Sequence, residues 1–199
     1  MTAAEDPIDL LARALAQTAG LIDGIGAEQA IHPTTCRSWD VAQLVSHLLF
    51  DLRQFTVRAE GGDPDWKQSF TRLEGDWLHA FEAGAEGLVA AWRGAGDLGG
   101  VIEVPGVGEL PARFPVDQQI AEFAVHGWDV ARSTGQSTAG LDQDVARASL
   151  VWGRGALRPE YRGSEEERHA FGPEVAVSED APVYDRLAAF FGRDPQAGG

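Results

Sequence analysis

The sequence predicts an all-α protein: a four-helix bundle with a small hairpin or extended excursion before the fourth helix and a short C-terminal extension. Three observations carry that expectation. Apolar residues recur at helical spacing along several long stretches. Cap and turn residues punctuate those stretches at short intervals. One segment, 97–114, has the glycine- and proline-broken pattern of a hairpin and is too small to be a sheet domain. Residues 1–199 are read as one domain, with the bundle over about 7–158 and the extension over about 159–199.

The first helix is expected over 7–22, where Ile8, Leu11, Leu15, Ala19 and Ile22 share a face and Pro7 suits the first turn. The second, over 39–58, is the strongest signal, with Val41, Leu44, Val45, Leu48, Leu52 and Phe55 in one apolar stripe. Ser38 is expected to cap it, Asp40 to sit near its positive end, and Gly61, Gly62 and Pro64 to close it. The third is expected over 71–93, burying Trp77, Phe81, Leu88 and Trp92, although the glycines at 75, 84 and 87 each cost about 1 kcal/mol against alanine. The fourth runs from Pro115 to 134 and ends at Gly135; Ile120, Phe123, Ala124, Gly127 and Ala131 point one way. Asp142 caps a fifth helix over 143–158. The chain then turns polar, and a short apolar helix is expected around 182–191.

Composition narrows the function classes. With 44% hydrophobic and 24% charged residues the chain is globular rather than disordered. Sixteen Lys and Arg against 31 Asp and Glu give a net charge of −15, which cannot easily build the basic face that nucleic acid or an anionic membrane requires. The single cysteine, Cys36, excludes an intrachain disulfide. The first residues do not read as a secretion signal, and no apolar run approaches the ~20 residues of a membrane span. A cytoplasmic protein with a small-molecule partner, monomeric or homodimeric, is the expectation.

The chemistry-bearing pattern is Glu122 and His126 at i and i+4 on the fourth helix, a spacing that puts both side chains on one face. A carboxylate and an imidazole so placed can share a metal ion. A second such pair, Glu165 and His169, lies in a charge run and reads as solvated surface. Glu122 and His126 differ in flanking an apolar stripe, beside Phe123 and Val130. His47 flanks the stripe of the second helix in the same way, in a polar lane with Gln43, Asp51 and Gln54. Helices packed by their stripes would bring these flanks together, although a histidine beside a stripe is more often structural. Asp51 and Asp129 are either ordinary solvated carboxylates or groups that orient the imidazoles. Cys36 reads as a packing residue at a helix start rather than a nucleophile. Trp39 and Trp128 read as wall and core, and His32 and His79 as structural or surface residues.

Two segments resemble a known family. TTCRSWDVAQLVSHLL and AEFAVHGWDVARSTGQ are similar to the paired motifs of the DinB-like superfamily, in the branch named for the N-terminal domain of mycothiol-dependent maleylpyruvate isomerase. The tail FGPEVAVSEDAPVYDRLAAFFGRDP resembles the end of a subgroup described as metal-binding. By motif match the resemblance implies a metal on His47, Glu122 and His126. Thr35 departs from the proline usual at its position. The isomerase has a further C-terminal domain that contributes an arginine; this sequence runs only to 199, so maleylpyruvate isomerisation itself is not expected.

The resemblance implies a divalent metal, zinc first among nickel, manganese and iron, with mycothiol or a similar low-molecular-weight thiol as co-substrate. The expected function is a metal-dependent thiol transferase or isomerase acting on an electrophilic small molecule. A hydrolase using activated water and a metal- or ligand-binding module without turnover remain open alternatives. Arg132, farther along the same helix than His126, and Asp129 are the candidates for helping the chemistry.

Overall fold

The structure is a computed structural model that describes residues 5–36, 38–104, 108–163 and 171–197. Among these residues six helices form: α1 (Pro7–Asp23), α2 (Val41–Ala59), α3 (Trp77–Gly94), α4 (Phe114–Thr134), α5 (Gln143–Ala156) and α6 (Val183–Phe190). A hairpin between α3 and α4 pairs β1 (Val101–Val104) with β2 (Gly108–Pro111), antiparallel, with Ile102 opposite Leu110. The all-α expectation holds, and the excursion lies where the sequence puts it.

Two helix starts differ from the sequence reading. Asp40, not Ser38, caps α2: its carboxylate accepts the Gln43 N–H at 2.8 Å while the Gln43 side chain accepts the Asp40 N–H at 2.9 Å. That reciprocal box satisfies two otherwise orphaned donors. It also leaves Trp39 outside the helix, free to turn toward the site. The third helix starts at Trp77 rather than 71, because Gly75 adopts φ +104° and Asp76 takes the cap, accepting the His79 N–H at 2.9 Å. Residues before it lie along α2 instead, with the Leu73 N–H donating to Ser46 Oγ at 2.9 Å.

The bundle closes as a ring, α1 packing on α3 and α4 and α2 on the same two helices. Leu11 and Leu15, Leu44, Leu48 and Leu52, Phe81 and Leu88, and Ile120 and Phe123 fill its centre, all at 2% exposure or less. Each such side chain contributes about 1.5–3 kcal/mol of burial. Gly127 lets α1 and α4 approach closely: a Cβ there would stand 3.3 Å from Thr18 Oγ1. Thr18 in turn donates to the Phe123 carbonyl at 3.2 Å.

The C-terminal extension is built into this core. α5 packs on α4, and α6 packs on both. Tyr184, Leu187, Ala188 and Phe190 are buried. Trp128 Nε1 donates to Asp185 at 3.1 Å, and Arg13 from α1 grips the α5 cap Asp142 with two bonds of 2.7 Å. Among the described residues no helix is long and apolar enough to cross a membrane.

Candidate metal centre

His47 projects from α2, and Glu122 and His126 from α4, into the seam between the two helices. His47 Nε2 lies 3.2 Å and His126 Nε2 3.0 Å from the same oxygen, Glu122 Oε1. All three donor atoms fall within 4.8 Å of one another. The imidazole planes are nearly perpendicular, at 81°.

The His126 ring separates a front from a back. Its Nε2 faces His47 and Glu122. Its Nδ1 faces Asp129 Oδ2 at 2.8 Å. Asp129 is fully buried and also accepts from the Arg193 guanidinium, at 2.9 and 3.2 Å, and from the Thr35 hydroxyl. Burial opposes its charge, but Arg193 and His126 hold its carboxyl well below the usual aspartate range. An ionised Asp129 accepts only, so His126 Nδ1 carries the hydrogen of that bond. Cys36 packs at the back as well, its Sγ 3.5 Å from Asp129 Oδ2 and 4.0 Å from His126 Nδ1.

Asp51 stands at the front, one turn after His47, with Oδ2 3.3 Å from His47 Nε2. Only 4% exposed, it is neither solvated surface nor a group orienting the far nitrogen of an imidazole. Burial, and after it the Glu122 charge, push its carboxyl up to about 9. Burial also lowers the pKa of His47, with His126 adding to the effect. Burial disfavours charge on Glu122 and His126 too, but each overcomes it through the other: Glu122 is held well below its usual value and His126 well above.

This donor set fits a divalent cation. With Nδ1–H committed to Asp129, a neutral His126 would aim an Nε2 lone pair at a carboxylate oxygen. Two imidazole nitrogens and one carboxylate oxygen face one another within 4.8 Å, an arrangement that a proton on His126 satisfies in metal-free protein and that a cation could take over. Two nitrogens and an oxygen suit zinc in a three-protein-ligand site. One wall of the front is aromatic: Trp39 stands 4.5 Å and Phe70 5.7 Å from the His47 ring, centroid to centroid.

Other sequence-based candidates fall elsewhere. Arg132, expected to orient a substrate, instead lies over Trp128 and donates to the carbonyls of Pro195 and Ala197 at 3.2 and 3.1 Å. Its place on α4, beyond the site-bearing face, turns it toward the tail. His32 and His79 are exposed, and Trp128 is core. Glu165 and His169 lie outside the described residues. Arg193 and Phe70 are the residues that sequence reasoning missed.

The fold and this side-chain constellation define an all-α bundle of the DinB-like type. The family model described as mycothiol maleylpyruvate isomerase N-terminal domain matches residues 11–131, and the chain belongs to that family. Two Mycobacterium tuberculosis proteins, from strains CDC 1551 and H37Rv and both described as uncharacterized, are similar to it. Each is 28% identical over 199 aligned positions, spanning 94% of this chain and 98% of the relative. No solved structure matches.

Proposed function

We propose that this protein is a divalent-metal-dependent enzyme that uses a low-molecular-weight thiol, of which mycothiol is the first candidate, in a transfer or isomerisation on an electrophilic small molecule. The supporting observation is the convergence of His47 Nε2, Glu122 Oε1 and His126 Nε2 within 4.8 Å, with the other nitrogen of His126 already engaged. A zinc ion held by these three residues would supply Lewis acidity and favour the deprotonated form of a thiol.

This chain's residues would do the rest. His47, Glu122 and His126 hold the cation, and Asp129 keeps the His126 tautomer fixed. Trp39 and Phe70 keep water off one side of the front. Asp51 offers a buried carboxyl that can hold or release a proton beside His47. The choice of thiol comes from the family's name, and that of zinc from the donor set.

Metal analysis of the purified chain tests the site. The native protein should carry about one equivalent of metal, and His126→Ala should carry little; undiminished metal in the variant would refute the assignment. Mycothiol should then raise the melting temperature of the metal-loaded protein, and a chelator should abolish that rise. Hydrolysis of activated esters with indifference to thiols would refute the thiol chemistry.

A further inference from the structure

Asp129 is gripped from the far end of the chain. Arg193 Nε donates to its Oδ1 at 3.2 Å and Nη2 to its Oδ2 at 2.9 Å, across 64 positions of sequence. The same Oδ2 lies 2.8 Å from His126 Nδ1. A two-pronged grip of this kind fixes the plane of a carboxylate as well as its place. Arg193 is itself anchored. Its side chain is 11% exposed, and its Nη1 donates to the Phe191 carbonyl at 2.9 Å. Its backbone N–H donates to the Ala188 carbonyl at 2.9 Å, tying it to α6. Beyond it, Arg132 holds the carbonyls of Pro195 and Ala197. The chain is therefore fastened on both sides of Arg193.

We propose that the C-terminal segment is a working part of the metal centre, with Arg193 as a positioning residue that fixes the Asp129 carboxylate and, through it, the aim of the His126 ring. This rests on the metal reading above. The direction of His126 Nε2 then depends on a residue delivered by the docking of α6, although Arg193 touches no donor of the front. An ion pair serving stability alone would contribute equally to protein with and without metal. A positioning pair shows itself in metal affinity and in the ligand field.

The test compares zinc affinity, by competition with a chromophoric chelator, and the visible absorption of cobalt(II)-loaded protein. Native protein, Arg193→Gln, Arg193→Lys, Asp129→Asn and the Asp129→Asn/Arg193→Gln double variant are measured in parallel. Arg193→Gln should loosen zinc about ten- to a hundredfold and shift the cobalt bands. Arg193→Lys should loosen it less, since one ammonium keeps the charge but cannot reproduce the planar grip. In the Asp129→Asn background, Arg193→Gln should no longer loosen zinc, because the arginine positions through that carboxylate and its remaining charge effect on Glu122 and His47 opposes a cation rather than holding it. Native affinity and a native cobalt spectrum in folded Arg193→Gln overturn the proposal, as does an undiminished effect in the Asp129→Asn background. If Arg193→Gln does not fold, Arg193→Lys decides: weakened affinity supports the proposal and native affinity overturns it. His126→Ala separates the two readings. Zinc retained there refutes the metal site itself, whereas zinc lost there but native in Arg193→Gln refutes only the positioning role.

Discussion

Zinc added to metal-free protein at pH 7 should displace about two protons from it. The count follows from the charges in the seam between α2 and α4. Asp51, Glu122 and Asp129, set against Arg193, leave two negative charges when both imidazoles are neutral. Buried charge of that size is too costly to leave uncompensated. The compensation expected is protonation: burial, and after it Glu122, push Asp51 up to about 9, and against its own burial Glu122 and Asp129 raise His126 well above its ordinary value, so both groups favour the protonated form at pH 7. A divalent cation at the front supplies the same two charges and makes both protons superfluous. Titration calorimetry in buffers of different ionisation enthalpy measures the number released, as the slope of apparent enthalpy against buffer enthalpy. Asp51→Asn should lower the slope to about one. Above pH 9 the native protein should also tend toward one, since Asp51 then ionises before metal arrives. Release of less than about half a proton at pH 7, or an unchanged slope in Asp51→Asn, would refute the charge argument.

Asp129→Ala leaves the Arg193 guanidinium buried without its partner and should cost about 3–5 kcal/mol, or roughly 6–20 °C in Tm. Calorimetry with a chelator present reads this apart from metal binding, and a loss below about 1 kcal/mol would count against a buried pair. In chelator, the native chain should lose stability as pH rises from about 4 toward 9, because folded Asp51 keeps a proton that the unfolded carboxyl surrenders. Asp51→Asn should remove that contribution to the slope, so parallel urea-midpoint profiles for the two proteins would contradict it. Gly87→Ala, exposed on α3 with nothing within 4 Å of the new Cβ, should stabilise by up to about 1 kcal/mol. Gly153→Ala on α5 would bring a Cβ to 2.8 Å from the Phe190 ring and should destabilise by about 1–3 kcal/mol. Equal shifts for the two glycines in chemical denaturation would undo that packing account.

The helices were legible because their signal repeats: the Leu44, Leu48, Leu52 stripe and the Ile120, Phe123, Ala124 face each state the same period several times. Helix starts were less legible because single residues compete there. Ser38 and Asp40 both make good caps, and Gln43 decides for Asp40 by returning a bond to its N–H. The pairing of Glu122 with His126 follows from spacing, but their meeting with His47 needed the family resemblance, since nothing local specifies which polar flanks face each other. Asp51 looked solvated because its lane on α2 is polar; its burial comes from α4 lying across it, a tertiary fact. Arg193 left no periodic trace. The signal available was VYDRLAAFF, a short helix apolar enough to dock, followed directly by Gly192 and a charged residue carried into the interior.

The division of the site by the His126 ring bears on Cys36, the one thiol of the chain. Its Sγ lies against Asp129 Oδ2 and 3.6 Å from Arg193 Nη2, on the Nδ1 side of the imidazole. A cation held by His47, Glu122 and His126 would stand on the Nε2 side, where Trp39 and Phe70 lie against the His47 ring. An imidazole ring therefore lies between this sulfur and the reacting groups. A nucleophile must reach a bonding trajectory to its target, and from its place against Nδ1 and Asp129 the Cys36 sulfur is screened by the imidazole from the Nε2 side. In the proposed reaction the attacking thiol would then be one supplied from solution rather than Cys36.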